Sequence, residues 1–198
     1  MKTDIILSGV GGQGILSIAA TIAIAALDNE LYIKQSEVHG MSQRGGAVQS
    51  HLRISNKPIA SDLIPLGESD LIISVEPMEG LRYIPYLSSA GWLVTNTKPF
   101  INIDNYPDKN ELMSTITSFK NHIALDADKI SRELQSPRSS NIVMLGAASP
   151  FIKIPYESFE EGIKKIFGRK GEEVVRLNID ALKAGREFAE KAIHNDAG

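Results

Sequence analysis

Asp4-Ile5-Ile6-Leu7-Ser8-Gly9-Val10-Gly11-Gly12-Gln13-Gly14-Ile15-Leu16 is the stretch whose reading decides the fold class. Ile5, Ile6 and Leu7 follow one another without alternation, so this strand presents apolar side chains to both faces, as a sheet covered by helices on either side demands. Gly9, Gly11 and Gly14 then satisfy G-x-G-x-x-G, and an apolar run opens directly behind them. Strand, glycine turn and helix in that order open a βαβ unit. The expectation is an α/β fold: three layers, α/β/α, Rossmann-like, around a largely parallel central sheet, with a mixed sheet as the alternative.

Outward from that unit, short runs rich in Ile, Leu and Val recur at residues 4–8, 31–35, 49–54, 71–75, 92–96 and 122–126 and read as strands. The run 49–54 is a candidate antiparallel member. Helices are read at 14–27, 77–87, 111–119, 128–134, 139–151, 156–167 and 172–191. Pro77 behind Glu76 is a helix-start signal. The first helix is apolar almost all round and calls for cover on several sides. In the last, Val174, Val175, Leu177, Leu182, Phe188 and Ala192 form an apolar stripe at helical spacing. Residues 98–109, with Pro99 and Pro107, read as a surface loop. One domain over 1–198 is the expectation for this length.

Composition removes several function classes. With no cysteine among its 198 residues, the chain has no thiolate ligand for an iron–sulfur cluster, no disulfide and no cysteine nucleophile. The histidines, His39, His51, His122 and His194, lack the spacing that would set two ligands on one helix face, so no transition-metal site is expected. A net charge of −3 and a pI near 5.8 lack the basic excess of phosphate-driven nucleic-acid binding. The apolar run 15–27 is broken by Ser17 and Thr21 and falls short of the roughly 20 residues of a membrane span. Without a signal-peptide pattern at the N-terminus, a cytoplasmic location is expected.

The glycine turn has two physical readings. Residues without Cβ let backbone amides approach an anion at the positive end of a helix, so a phosphate, a carboxylate or a partner's acidic group fits there. The same glycines also permit a tight strand-to-helix turn and nothing more. Gly12 occupies a variable position of the motif, where turn geometry is not expected to require glycine. For a dinucleotide, an acidic residue is wanted about 20 residues on, and Lys34 and Gln35 stand in that neighbourhood, with Glu37 slightly later. A stand-alone dinucleotide-binding oxidoreductase therefore remains an alternative.

Ser36-Glu37-Val38-His39-Gly40-Met41-Ser42-Gln43-Arg44-Gly45-Gly46 is too polar for a core and too dense in chemistry for a simple turn. In an open parallel sheet it lies at the same carboxyl edge as the glycine turn, and Glu76 can join them there. Together with Gly9 to Ile15, this string resembles the beta subunits of indolepyruvate:ferredoxin oxidoreductases, within the gamma-subunit and gamma-domain family of 2-oxoacid:ferredoxin oxidoreductases. Ser50-His51-Leu52-Arg53, Glu76-Pro77-Met78-Glu79-Gly80-Leu81-Arg82, Asn141-Ile142-Val143-Met144-Leu145-Gly146-Ala147 and Asn178-Ile179-Asp180-Ala181-Leu182-Lys183-Ala184-Gly185 continue the likeness in order. Gamma subunits of pyruvate, 2-oxoisovalerate and 2-oxoglutarate oxidoreductases are the alternative, but they usually replace the His-Gly-Met-Ser-Gln portion.

The resemblance implies a cofactor-free small subunit, inactive alone. Its large alpha partner would carry thiamine diphosphate, Mg and 4Fe–4S clusters, decarboxylate an arylpyruvate, hand electrons to ferredoxin and release an acyl-coenzyme A. This chain would complete the assembly and its substrate or coenzyme A channel. On that reading Gly9, Gly11, Gly12, Gln13, Gly14, Glu37, His39, Gly40, Met41, Ser42, Gln43, Arg44, Gly45, Gly46 and Glu76 are the residues for ligand or partner. Each also has a structural reading: Arg44 as a salt-bridge anchor, His39 as a loop hydrogen bond, Gln13 and Ser42 as turn stabilisers, and Glu76 as a helix cap.

Overall fold

The computed structural model describes residues 1–39, 45–101 and 103–196. Six strands, β1 (Lys2–Val10), β2 (Tyr32–His39), β3 (Ala47–Ser55), β4 (Ser69–Ser74), β5 (Leu87–Asn96) and β6 (His122–Leu125), form one sheet in the order β2-β3-β1-β4-β5-β6. β1, β4, β5 and β6 are parallel, whereas β3 runs antiparallel to both β1 and β2. The sheet is therefore mixed, and the strand read at 49–54 is its antiparallel member.

The helices are α1 (Ile15–Asp28), α2 (Pro77–Arg82), α3 (Lys109–Thr117), α4 (Ala127–Glu133), α5 (Ser140–Ala148), α6 (Tyr156–Phe167) and α7 (Glu172–Asp196). Ile5 and Leu7 of β1 enter the large core shared with α1, α5, α6 and α7, while Ile6 enters a smaller one with Ile72, Leu93 and Ile116 of α3. The unbroken apolar triplet thus feeds both faces of the sheet, giving the expected three layers.

Several element boundaries differ from the sequence reading, each for a visible reason. α2 stops at Arg82 instead of running to residue 87, because Pro85 cannot continue a helix; a short 3-10 turn follows and Leu87 already starts β5. The run from Ser139 to Phe151 likewise ends as α-helix at Ala148, with Pro150 in a 3-10 turn. β2 extends to His39, so residues 36–39 of the polar string are strand, paired through Glu37↔Ser50 and His39↔Val48. Among the described residues between Asn96 and Lys109 there is no helix or strand, in line with a surface loop.

Two helix faces also depart from expectation. α1 buries Ile15, Ile18, Ile22 and Ala26 but leaves Leu16 and Leu27 about three-fifths exposed, at 59% and 60%, so it is not covered all round. In α7, Leu182 enters the core and Val174, Val175 and Ala192 pack against it as expected, but Phe188 is exposed, and the most buried stripe adds Asn178, Ala181, Gly185 and Ala189. The stripe is small-sided because α5 lies backbone to backbone against it: a Cβ on Gly185 would stand 2.0 Å from the Val143 carbonyl oxygen, and one on Gly146 2.0 Å from that of Leu182. No helix among the described residues is long and apolar enough to cross a membrane.

Candidate functional site

At the carboxyl end of β1 the chain turns through Gly11-Gly12-Gln13-Gly14 into α1. Gly12 has φ +100 and Gly14 φ +83, both in the region that side chains disfavour. Gly12 therefore does need to be glycine for the turn, contrary to the sequence expectation. Its Cβ position is open, with nothing within 4 Å, whereas a Cβ on Gly14 would stand 2.5 Å from Asn141 Nδ2. That amide nitrogen donates to the Gly14 carbonyl oxygen at 3.1 Å, tying the turn to the start of α5. Gln13 works within the turn, its Oε1 accepting from the Val10 amide at 2.7 Å. Gly9 abuts Val75 where β1 and β4 end together.

The second loop meets the first through backbone. Gly11 N–H donates to the Gly46 carbonyl at 2.8 Å, and Gly45 N–H donates to the Gly11 carbonyl at 3.3 Å. The two glycine-bearing loops thus share one edge of the sheet, as the sequence suggested. Gly40, Met41, Ser42, Gln43 and Arg44 lie outside the described residues, and of His39 only its strand backbone is described. Because β3 is inserted between β2 and β1, Glu37 sits two strand positions from β1, roughly 10 Å away in the sheet. A dinucleotide-binding fold of the ordinary type puts its acidic residue on the adjacent strand instead.

Glu76 is fully buried and occupied in a different way. It caps α2, with Oε2 accepting from the Glu79 amide at 2.8 Å, and its Oε1 takes the Phe100 amide at 3.3 Å and the Tyr106 hydroxyl. Burial, and then the Glu76 carboxylate, raise the Tyr106 pKa well above the usual phenolic value. Glu76 therefore ties Phe100 and Tyr106 to the sheet edge, and its cap role is the one the geometry displays. Glu79 beside it is pushed upward by burial, opposed by the Arg82 guanidinium at 3.0 Å.

A cavity of about 700 Å³ opens on one side of the turn. Gly12, Gln13, Gly14 and Ser17 form one wall, Arg138, Ser139 and Asn141 the second, and Lys170 with Asn178 the third. Two helix N-termini converge there. Neither Gly14 before α1 nor Ser139 before α5 supplies a side-chain cap; the Ser17 and Ile142 amides turn back to the Gly14 and Ser139 carbonyls, at 3.0 and 2.9 Å, and Ser140 and Asn141 of the first turn of α5 line the cavity. Its lining holds two cationic side chains and no acidic one, which is the chemistry of an anion site. Sequence reasoning missed Arg138, Asn141 and Lys170, which the fold brings in from more than 120 residues away. The signal available was Ser139-Ser140-Asn141 ahead of an apolar run, a helix start.

On the other side of the turn lies a second cavity, about 460 Å³, bounded by Val10, Ile15, Leu16, Val48, the glycine backbone and Glu37. Among the described residues no group of three or more His, Asp or Glu side chains is placed to hold a metal ion, and the chain offers no cysteine to a cluster.

Comparison with known proteins follows the same lines. Residues 4–188 match the pyruvate ferredoxin/flavodoxin oxidoreductase family. The indolepyruvate oxidoreductase subunit IorB of Archaeoglobus fulgidus is 34% identical over 93% of this chain and 94% of its own length. That of Pyrococcus horikoshii is 32% identical over 96% and 98%. The pyruvate/ketoisovalerate oxidoreductases common subunit gamma of Pyrococcus furiosus is 29% identical over 91% and 95%. Among solved structures, the keto/oxoacid ferredoxin oxidoreductase gamma subunit of Geobacter sulfurreducens superposes with a TM-score of 0.71 at 22% identity, covering 97% of this chain and 98% of that one. The 2-oxoglutarate:ferredoxin oxidoreductase of Magnetococcus marinus, described with 2-oxoglutarate, coenzyme A and succinyl-CoA bound, does so with a TM-score of 0.76 at 23% identity; there this chain spans 96% of itself and only 31% of the longer polypeptide. Mixed sheet, glycine turn and full-length likeness to small oxidoreductase subunits converge, and the chain belongs to the pyruvate ferredoxin/flavodoxin oxidoreductase family.

Proposed function

We propose that this chain is the small subunit of an indolepyruvate or arylpyruvate:ferredoxin oxidoreductase, acting with a larger thiamine-diphosphate and iron–sulfur chain in the cytoplasm. The observation that carries the substrate class is the full-length match to IorB subunits, at 32–34% identity across four organisms against 29–30% for the common gamma subunits. On this reading the larger chain carries thiamine diphosphate, Mg and the clusters, and ferredoxin is reached through it; the lack of cysteine in this chain supports the assignment of the clusters. Single-domain behaviour over 1–198 is part of the same reading.

The share of the work that falls to this chain is binding. The cavity beside the glycine turn supports a role for the phosphates of coenzyme A: Arg138 and Lys170 supply charge, and the N-terminal end of α5, at Ser140 and Asn141, borders the same space. Gly12, with no neighbour where a side chain would stand, lets a ligand or the partner approach the backbone. Residues 40–46, including Arg44, are read as contacts to ligand or partner.

Co-expression with the large chain tests the proposal. Indolepyruvate should support coenzyme-A-dependent reduction of an electron acceptor far better than pyruvate or 2-oxoglutarate. The Arg138→Ala/Lys170→Ala variant should raise KM for coenzyme A while leaving KM for the 2-oxoacid unchanged. Equal use of all three acids refutes the substrate class, and an unchanged KM for coenzyme A refutes the cavity's role.

A further inference from the structure

We infer that Asn141 and Asn178 make the larger cavity selective for a phosphate ester that brings its own O–H or N–H donors, and not for a bare anion. This deepens the proposed function and rests on it. Both side chains are more than nine-tenths buried, at 9% and 6% exposure, and both line the cavity. Each amide is held by its nitrogen: Asn141 Nδ2 donates to the Gly14 carbonyl at 3.1 Å, and Asn178 Nδ2 to the Val174 carbonyl, one turn back in α7, at 2.7 Å. That fixes which end is which and leaves the two Oδ1 atoms as acceptors. Among the described residues neither Oδ1 accepts a hydrogen bond, yet the unpartnered side-chain atoms shielded from solvent belong to Thr3, Ser8, Glu37 and Tyr156. The two asparagine oxygens are therefore open, and the open space that these residues line is the cavity.

The lining sets the chemistry of the ligand. Arg138 and Lys170 favour negative charge, and no acidic side chain in the lining opposes them. An amide oxygen has no hydrogen to offer an anion, and covering it with a ligand that brings no donor carries the cost of an unmade hydrogen bond. A metal cation suits the oxygens but is repelled by the two positive side chains. A neutral polyol satisfies the oxygens and leaves both charges unused. A molecule with phosphate at one end and hydroxyl or amide hydrogens beside it satisfies all four groups, and about 700 Å³ is room for one. Coenzyme A offers this chemistry twice, at the ribose hydroxyl beside its 3′-phosphate and at the pantetheine hydroxyl and amides beside its pyrophosphate.

Isothermal titration calorimetry on the full chain distinguishes the two ends. The probes are adenosine 3′,5′-bisphosphate, 4′-phosphopantetheine and inorganic pyrophosphate, the last having charge but no alcohol or amide donor. One of the esters should bind more tightly than pyrophosphate. Asn178→Leu, which nearly keeps the volume and removes the oxygen, should weaken that ester about tenfold and leave pyrophosphate within about twofold. Asn178→Ser, whose hydroxyl can still bond the Val174 carbonyl and accept from a ligand, should recover part of the loss. Asn141→Leu should discriminate in the same way at a lower Tm, because the tie to Gly14 is lost; retained pyrophosphate binding then shows an intact cavity. In the assembled enzyme Asn178→Leu should raise KM for coenzyme A about tenfold, with kcat and KM for the 2-oxoacid unchanged. Absence of saturable ester binding overturns the inference, as does pyrophosphate binding as tightly as both esters. Equal ester binding by wild type and both leucine variants overturns it too, and so does a loss that falls equally on all three probes. If only the asparagine variants are silent, the inference falls alone; if Arg138→Ala/Lys170→Ala also leaves every probe bound as before, the cavity's role in the proposed function falls with it.

Discussion

Gly185→Ala puts one methyl group into one of the two closest glycine contacts among the described residues. The new Cβ would lie 2.0 Å from the Val143 carbonyl oxygen and 2.9 Å from the Ala147 amide nitrogen, both backbone atoms of α5. Ordinary contact begins near 3.4 Å, so α7 must back away by about 1.4 Å or α5 must bend. Neither obstacle is a flexible side chain that can swing aside. Overpacking a core typically costs about 1–3 kcal/mol, and backbone against backbone belongs at the upper end, about 3 kcal/mol. Replacing glycine by alanine inside a helix returns about 1 kcal/mol of propensity. The net loss is about 2 kcal/mol, which for a chain of this size lowers Tm by roughly 4–8 °C. Gly168→Ala is the control: its φ of −54 suits alanine and nothing lies within 4 Å, so it should hold or raise Tm. Differential scanning calorimetry on both variants decides the matter. A Gly185→Ala protein melting at or above wild type would refute the close α5–α7 contact.

Other expectations follow from buried groups and backbone geometry. His51 is buried, its Nδ1 accepts the Ile64 amide at 3.0 Å, and burial lowers its pKa below 6.5. The unfolded chain then takes up a proton first, so stability is complete above about pH 6.5 and declines as pH falls from there toward the lower folded pKa. Urea titrations between pH 7.5 and 5 should show this decline in wild type and a flatter profile in His51→Gln; parallel profiles would refute it. Asp4 is fully buried and takes Arg53 Nε at 2.9 Å and a second guanidinium nitrogen at 3.0 Å, so Asp4→Asn should cost about 3 kcal/mol, read as a lower urea midpoint with unchanged m. A shift below 1 kcal/mol would mark the pair as surface-like. Gly12→Ala should cost about 1–2 kcal/mol in the isolated chain because of φ +100, and equal melting would place Gly12 outside the strained region.

The layered fold was legible in local pattern. Ile5-Ile6-Leu7 demanded cover on both faces, the glycine turn announced a strand-to-helix connection, and Glu76-Pro77 marked a helix start that the capping geometry bears out. Those signals depend on neighbours a few residues apart, which a sequence displays directly. Gly146 and Gly185 belong to strings that carried the family resemblance, yet their purpose, letting two helices meet at backbone distance, appears only when α5 and α7 are brought together.

The site divides in the same way. Its glycines and Glu37 could be named from the sequence, as could the shared edge of the two loops. The insertion of β3 between β1 and β2 was not legible, because which strand pairs with which is set by burial of the whole sheet and not by any one run. That single choice moves Glu37 off the adjacent strand. Arg138, Asn141 and Lys170 were equally hidden, since charge and N–H groups more than 120 residues from the glycine turn become one chamber only through tertiary packing. Sequence by itself determined the class of fold, the family and the absence of cysteine chemistry; tertiary structure decided which groups face each other across the turn, because convergence of distant side chains is a property of packing and not of order along the chain.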